Sequence, residues 1–72
     1  NRKFRSLKSG DIGSDVKEVQ KALKKLGYYN SYPDGKFGAV MQNSVKKFQR
    51  DNKLRVNGVV NKQTYNMIMQ HQ

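Results

Sequence analysis

Apolar side chains return along this chain at helical steps, in stretches divided by glycine turns. Val16, Val19, Leu23 and Leu26 recur at steps of three, four and three, so they share one helical face, and Lys17, Lys21, Lys24 and Lys25 occupy the other side. Asp15-Val16-Lys17-Glu18 fits a capping box at the start of this helix, with Ser14 as an alternative cap, and Gly27 follows the last apolar residue as a stop. The second stretch predicts a helix over about 39–52, with Met41, Val45 and Phe48 on one face and Ser44 as a small neighbour. Lys46, Arg50 and Lys53 form its outward stripe. A last helix is expected over about 62–70, capped by Asn61, with Tyr65, Ile68 and Met69 turned inward.

The turns repeat as well. Ser9-Gly10-Asp11-Ile12-Gly13, Asp34-Gly35-Lys36-Phe37-Gly38 and Asn57-Gly58-Val59-Val60-Asn61 each carry a glycine, an apolar residue two positions on, and then Gly or Asn. Each reads as a tight turn that tucks one apolar side chain (Ile12, Phe37 or Val60) inward and launches a helix. In register, Gly38 aligns with Asn61, Met41 with Thr64 and Val45 with Ile68. The segment Val16–Lys21 resembles Val45–Arg50, offset so that the second helix has about one extra turn at its start. The fold class predicted is all-α: a small three-helix bundle of stacked turn-and-helix units. No period-two strand pattern appears, although Ile12, Phe37 and Val60 could make short extended pairings in the turns.

Length and charge narrow the function. Seventy-two residues make one domain, read as a basic arm or linker remnant over 1–6, the domain over 7–70 and a tail over 71–72. Cysteine is absent, which removes disulfides and thiolate metal sites, and no apolar run is long enough to span a membrane. Fifteen Lys and Arg against five Asp and Glu leave a formal net charge of +10, a surface that attracts nucleic acid, anionic lipid or an acidic wall polymer. Catalysis is not indicated. The one histidine, His71, is next to the end of the chain, and Asp11 and Asp15 read as turn and cap residues rather than as a pair of catalytic acids. No metal-ligand cluster is visible and no cofactor is expected.

Taken in order, the motifs carry a resemblance. Leu7-Lys8-Ser9-Gly10-Asp11-Ile12-Gly13 is followed by Val16-Lys17-Glu18-Val19-Gln20, Leu26-Gly27-Tyr28-Tyr29 and Asp34-Gly35-Lys36-Phe37-Gly38. Then come Ser44-Val45-Lys46-Lys47-Phe48-Gln49, Gly58-Val59-Val60 and Thr64. From Leu7 to about Met69 this resembles the bacterial peptidoglycan-binding domain of the three-helix type. The chain departs from that pattern at Val40 and Met41, where Pro-x-Thr or Thr is usual, at Ser44 for Ala, at Asn52-Lys53 for Gly, and at Asn61 for Gly. The resemblance implies a non-catalytic, extracellular wall anchor, monomeric, and covalently linked to a wall-modifying catalytic domain.

The implied ligand is peptidoglycan, through its glycan, its stem peptide or both, with anionic wall polymers as further partners. Tyr28, Tyr29 and Tyr32 are candidate contacts, because an aromatic face suits a sugar or a peptide methyl and the phenol adds a hydrogen bond. Asp34 and Lys36, before the free amides of Gly38, Ala39 and Val40, form a second candidate for a carboxylate. Gln49, and Gln20 at the matching place, could meet ligand amides or instead hold the backbone of a neighbouring glycine turn. Two rival readings are a basic nucleic-acid-binding module and a domain that only packs against a partner catalytic domain.

Overall fold

The three expected helices form where the apolar periodicity places them. The computed structural model describes residues 4–72, and its helices are α1 (Ser14–Lys25), α2 (Ala39–Asp51) and α3 (Lys62–Gln70). Their apolar faces meet in one core built from Val16, Val19 and Leu23 of α1, Met41, Val45 and Phe48 of α2, and Ile68 of α3. Leu7, Phe37 and Val60 close it from the turns. Among the described residues there is no strand, only two isolated antiparallel bridges, Leu7 to Val60 and Ile12 to Lys36.

These bridges explain which turn residues face inward. Residues opposite each other in an extended pair share a face, and successive residues alternate. Leu7 and Val60 pair directly and are both buried. Ile12 pairs with Lys36, whose side chain is in solvent, so Ile12 is carried outward too and is 68% exposed. Phe37, one residue on from Lys36, points the other way, into the core. The expectation that Ile12 would be buried is therefore corrected, and Leu7 supplies the apolar group that the first turn was expected to provide.

The start of α1 also differs from expectation. The helix is capped by Gly13 without a side-chain bond, so the capping box does not form. Asp15 is drawn instead to Arg5, whose Nε and Nη2 donate to its carboxylate at 2.7 and 3.1 Å, and Arg5 also reaches the Ile12 carbonyl at 3.1 Å. Phe4 lies against Tyr65, with ring centroids 5.4 Å apart. The rest of the basic arm, residues 1–3, lies outside the described residues. Asn61 caps α3 as expected, accepting the Thr64 N–H at 2.8 Å.

Two helix ends repeat one device. After α1, Tyr28 N–H donates to the Leu23 carbonyl at 2.9 Å and Gly27 N–H to Lys24 at 3.1 Å. After α2, Leu54 N–H donates to Gln49 at 2.8 Å and Lys53 N–H to Arg50 at 3.2 Å. Both are the six-to-one and five-to-two bonds of a Schellman ending, which needs a left-handed residue at its corner. Gly27 meets this with φ 88°, but Lys53 has a side chain at φ 58° and is the only non-glycine residue with positive φ among those described. Lys53→Gly is thus expected to raise stability by about 1 kcal/mol, by removing the left-handed penalty at an exposed site. Urea unfolding followed by far-UV circular dichroism measures it, and a decrease would refute the assignment of strain.

Candidate functional site

Two buried glutamines hold the glycine turns, and this determines which polar groups remain free for a ligand. Gln20 Oε1 accepts the Gly35 N–H at 2.8 Å. Its Nε2 donates to the Lys36 carbonyl at 2.9 Å and is shared with the Tyr29 hydroxyl at 3.1 Å and Asp34 Oδ1 at 3.2 Å. Gln49 does the same one repeat later. Its Oε1 accepts from Asn57 and Gly58 at 3.1 and 3.0 Å, while Nε2 reaches the Val59 carbonyl at 2.9 Å and Asn57 Oδ1 and Thr64 Oγ1 at 3.1 Å each. Tyr29 in the first unit and Thr64 in the second thus serve as the same hydroxyl. Gln20 falls one turn nearer its helix start than Gln49, in line with the extra turn expected in α2.

Both amides are fully buried and saturated. Gln49, a sequence candidate for ligand contact, is turned inward with its amide oxygen and nitrogen both engaged by the Asn57–Val59 turn and Thr64. Tyr29, another sequence candidate, is also turned inward. It is 4% exposed, accepts from Gln20 and donates to the Tyr32 carbonyl at 3.2 Å, and burial pushes its phenol pKa up.

Asp34 remains in solvent, but one of its oxygens serves the turn, accepting the Lys36 N–H at 2.9 Å as well as the Gln20 amide. The Lys36 backbone bond, then the Gln20 bond, hold its pKa below the ordinary aspartate value. A carboxyl depressed in the folded state adds stability that is present above the unfolded-chain pKa and is lost as pH falls through the folded value. Asp15, lowered mainly by its bond from Arg5, has the same sign. Asn57 makes the equivalent bonds without charge, its Oδ1 accepting from Val59 at 2.9 Å. Asp34→Asn is therefore expected to fold and to lose less stability than the parent as the pH falls below about 4. Thermal melts across that range check it, and identical acid slopes would count against a role for the Asp34 charge.

The other acids with assigned partners also serve local structure. Asp11 accepts the Lys8 N–H at 2.9 Å and closes its turn. Tyr28 is half-buried, its ring edge-on to Phe48 at 5.4 Å, and its hydroxyl donates to Asp51 at 2.7 Å. That bond, more than burial, raises the Tyr28 phenol pKa. His71 also lies against this core residue, 5.9 Å from Phe48 between ring centroids. Tyr32 is 76% exposed, and Lys36 projects into solvent with its backbone engaged in the second glycine turn.

A groove of about 560 Å³ opens over the outer side of α2. Of the sequence candidates it takes in Tyr28 alone. Val40 and Val56, 53% and 49% exposed, supply its other apolar surface. Asn30 and Asn43 add amide side chains, and Lys46, Lys47 and Arg50 bring three cations with no carboxylate in the lining. Sequence reasoning placed Lys46 and Arg50, but not Lys47, in an outward stripe on α2. The signal it passed over was a pair of valines, Val40 and Val56, off the buried helical faces and next to that stripe. Met41, where the resembled pattern carries a hydroxyl, is buried in the core and takes no part in the groove.

Comparison with known proteins gives the following. Residues 12–68 match the family described as "Putative peptidoglycan binding domain". Over 62 residues the chain is 37% identical to the "Probable CtpA-like serine protease" of Staphylococcus aureus (strain bovine RF122 / ET3-1), covering 86% of this chain and 12% of that protein. The chain thus spans a small fraction of the length of such curated relatives. The crystal structure of the SleB N-terminal domain superposes with a TM-score of 0.93 at 30% identity, over 99% of this chain and 97% of that one. A fused Zn-dependent amidase/peptidase/peptidoglycan-binding domain-containing protein of Clostridium acetobutylicum ATCC 824 gives a TM-score of 0.82 at 37% identity, over 92% of this chain and 29% of that one.

Proposed function

The chain belongs to the family of peptidoglycan-binding domains, and on that premise we propose that it is a non-catalytic anchor that holds an attached wall-modifying enzyme against peptidoglycan outside the cytoplasm. The observation that carries this reading is the combination of fold and setting: the whole domain superposes on SleB's N-terminal domain, and the same fold forms part of a fused amidase/peptidase protein. An anchor of this kind needs no chemistry of its own. It raises the local concentration of its enzyme on an insoluble substrate, and the gain follows from linker length and reach.

The contact surface in this reading is the α2 groove, with Tyr28 as its aromatic wall. Tyr32 and Lys36 are exposed on the loop leading into α2 and extend the candidate surface. Asp34 has one oxygen held by the turn, and Tyr29 and Gln49 shape the loop from beneath. The +10 net charge adds long-range, salt-sensitive attraction to acidic wall components.

Retention on purified peptidoglycan freed of teichoic acid tests the proposal. The domain is expected to sediment with the wall at physiological salt. A domain left in the supernatant there, but bound tightly to duplex DNA with a steep salt dependence, would favour the nucleic-acid reading instead.

A further inference from the structure

We propose that the α2 groove is selective for anionic peptide, and so takes the stem-peptide part of the wall polymer rather than its sugar strand. This deepens the wall-binding reading and rests on it. The groove offers three cations, Lys46, Lys47 and Arg50, and no opposing acid in its lining. The ion pairs among the described residues are Arg5 with Asp15 and Lys8 with Asp11, so all three groove cations are free of a protein carboxylate. Asp51, the acid that follows Arg50 on α2, has an oxygen engaged by the Tyr28 hydroxyl at 2.7 Å. Carboxylates on a ligand would meet uncompensated positive charge at hydrogen-bonding range, the arrangement that gives charge-assisted bonds.

The apolar part of the groove has the shape of small side chains. Val40 and Val56 are half-exposed branched groups, suited to methyls and short aliphatic chains and offering no flat platform for a pyranose ring. The most exposed aromatic, Tyr32, is not part of the lining, and the Tyr28 ring is half-buried and packed nearly perpendicular to Phe48. Asn30 and Asn43 each present a donor and an acceptor, which suits the alternating groups of a peptide backbone. Val40 is in the first turn of α2, whose Gly38 cap makes no side-chain bond, so the positive end of the helix dipole adds to the cations there. A phosphate-rich polymer would use the cations but leave both valines without a partner. A neutral glycan would use the amides but leave the three charges unmet.

Amide chemical-shift titration of the intact domain tests this with four probes: the free stem tetrapeptide of peptidoglycan, the same peptide amidated at its carboxyls, glycan strands stripped of peptide, and wall teichoic acid. The free peptide is expected to move the amides of Val40, Asn43, Lys47 and Val56. Amidation, or the variant Lys46→Gln/Lys47→Gln/Arg50→Gln, is expected to weaken binding about tenfold or more, the sum of several exposed charge contacts. All three positions are exposed, and an unchanged amide spectrum of the free variant confirms its fold. Stripped glycan that moves these amides while the peptide does not overturns the proposal and leaves wall anchoring intact. Teichoic acid as the one active probe overturns it in favour of a phosphate polymer. Silence with all four probes, from a domain that sediments with intact wall, overturns the groove as the site. Failure to sediment as well would remove the anchoring reading itself.

Discussion

Gln49→Ala is expected to destabilise the domain by about 3 kcal/mol, with Gln20→Ala close behind. Each amide is the shared partner of a buried glycine turn. Removing Gln49 strips the Asn57 and Gly58 N–H groups of their acceptor and the Val59 carbonyl of its donor. A buried backbone group left without a partner costs about 1–3 kcal/mol, and Gly58 is buried. A Cβ built on Gly58 would already stand 2.9 Å from Gln42 Cγ, which is a measure of how closely the turn is covered. A domain of this length has on the order of 4–10 kcal/mol in total, so the loss consumes a large share and lowers Tm by roughly 10–20 °C. Calorimetry measures the shift, and hydrogen exchange at Gly58 locates it. A Tm change of a few degrees, with Gly58 still protected, would show that the turn stands without its clip.

The clips also show what the sequence could and could not reveal. Gln20 and Gln49 occupy matching places in an internal repeat, and glycine turns have backbone groups that need partners, so a clip was among the readings open from sequence. Tyr29 and Thr64 completing those clips was not, because their equivalence is one of position in space and not of residue type. Helix placement was legible because steps of three and four persist over enough turns to define a face. The first turn misled because Ile12 sits in the same phrase as Phe37 and Val60. Its outward direction follows from the register of a single bridge to Lys36, and pairing register is not written in the local pattern. Asp15 and Glu18 had capping-box spacing, but Arg5, ten residues before Asp15, competes for the carboxylate with a two-pronged, charge-assisted contact.

The groove was the least legible part. Lys46 and Arg50 were visible only as part of a polar stripe, and a polar stripe on a helix is ordinarily just the solvated face. What makes this one a candidate site is the convergence of Val40 from the first turn of α2, Val56 from the segment after it and Tyr28 from the loop after α1. These residues are far apart in the chain, and no spacing rule links them. The aromatic cluster Tyr28-Tyr29-Asn30-Ser31-Tyr32 drew notice as a unit, yet the fold divides it: Tyr29 goes inward, Tyr32 outward, and Tyr28 and Asn30 to the groove.

Phe48→Ala should be the most damaging single change, with a loss of about 3–5 kcal/mol and an effect on the site at the same time. Phe48 is among the largest fully buried side chains and makes T-shaped ring contacts with both Tyr28 and His71. Truncation leaves a cavity that Val45 and Leu23, both fully buried and β- or γ-branched, fill only in part. The groove suffers because the Tyr28 ring loses the surface that fixes its angle, keeping only the bond from its hydroxyl to Asp51. Phe48→Leu separates the two effects. It retains most of the volume and is expected to cost about 1–2 kcal/mol, leaving a folded domain whose Tyr28 is freer to turn. If Tyr28 forms a wall of the binding surface, Phe48→Leu lowers retention on peptidoglycan even under conditions where the variant is fully folded by circular dichroism. Tyr28→Phe leaves the ring in place and removes only the bond to Asp51, so its retention is expected to stay nearer the parent's. Equal retention for parent and Phe48→Leu would place the ligand away from Tyr28.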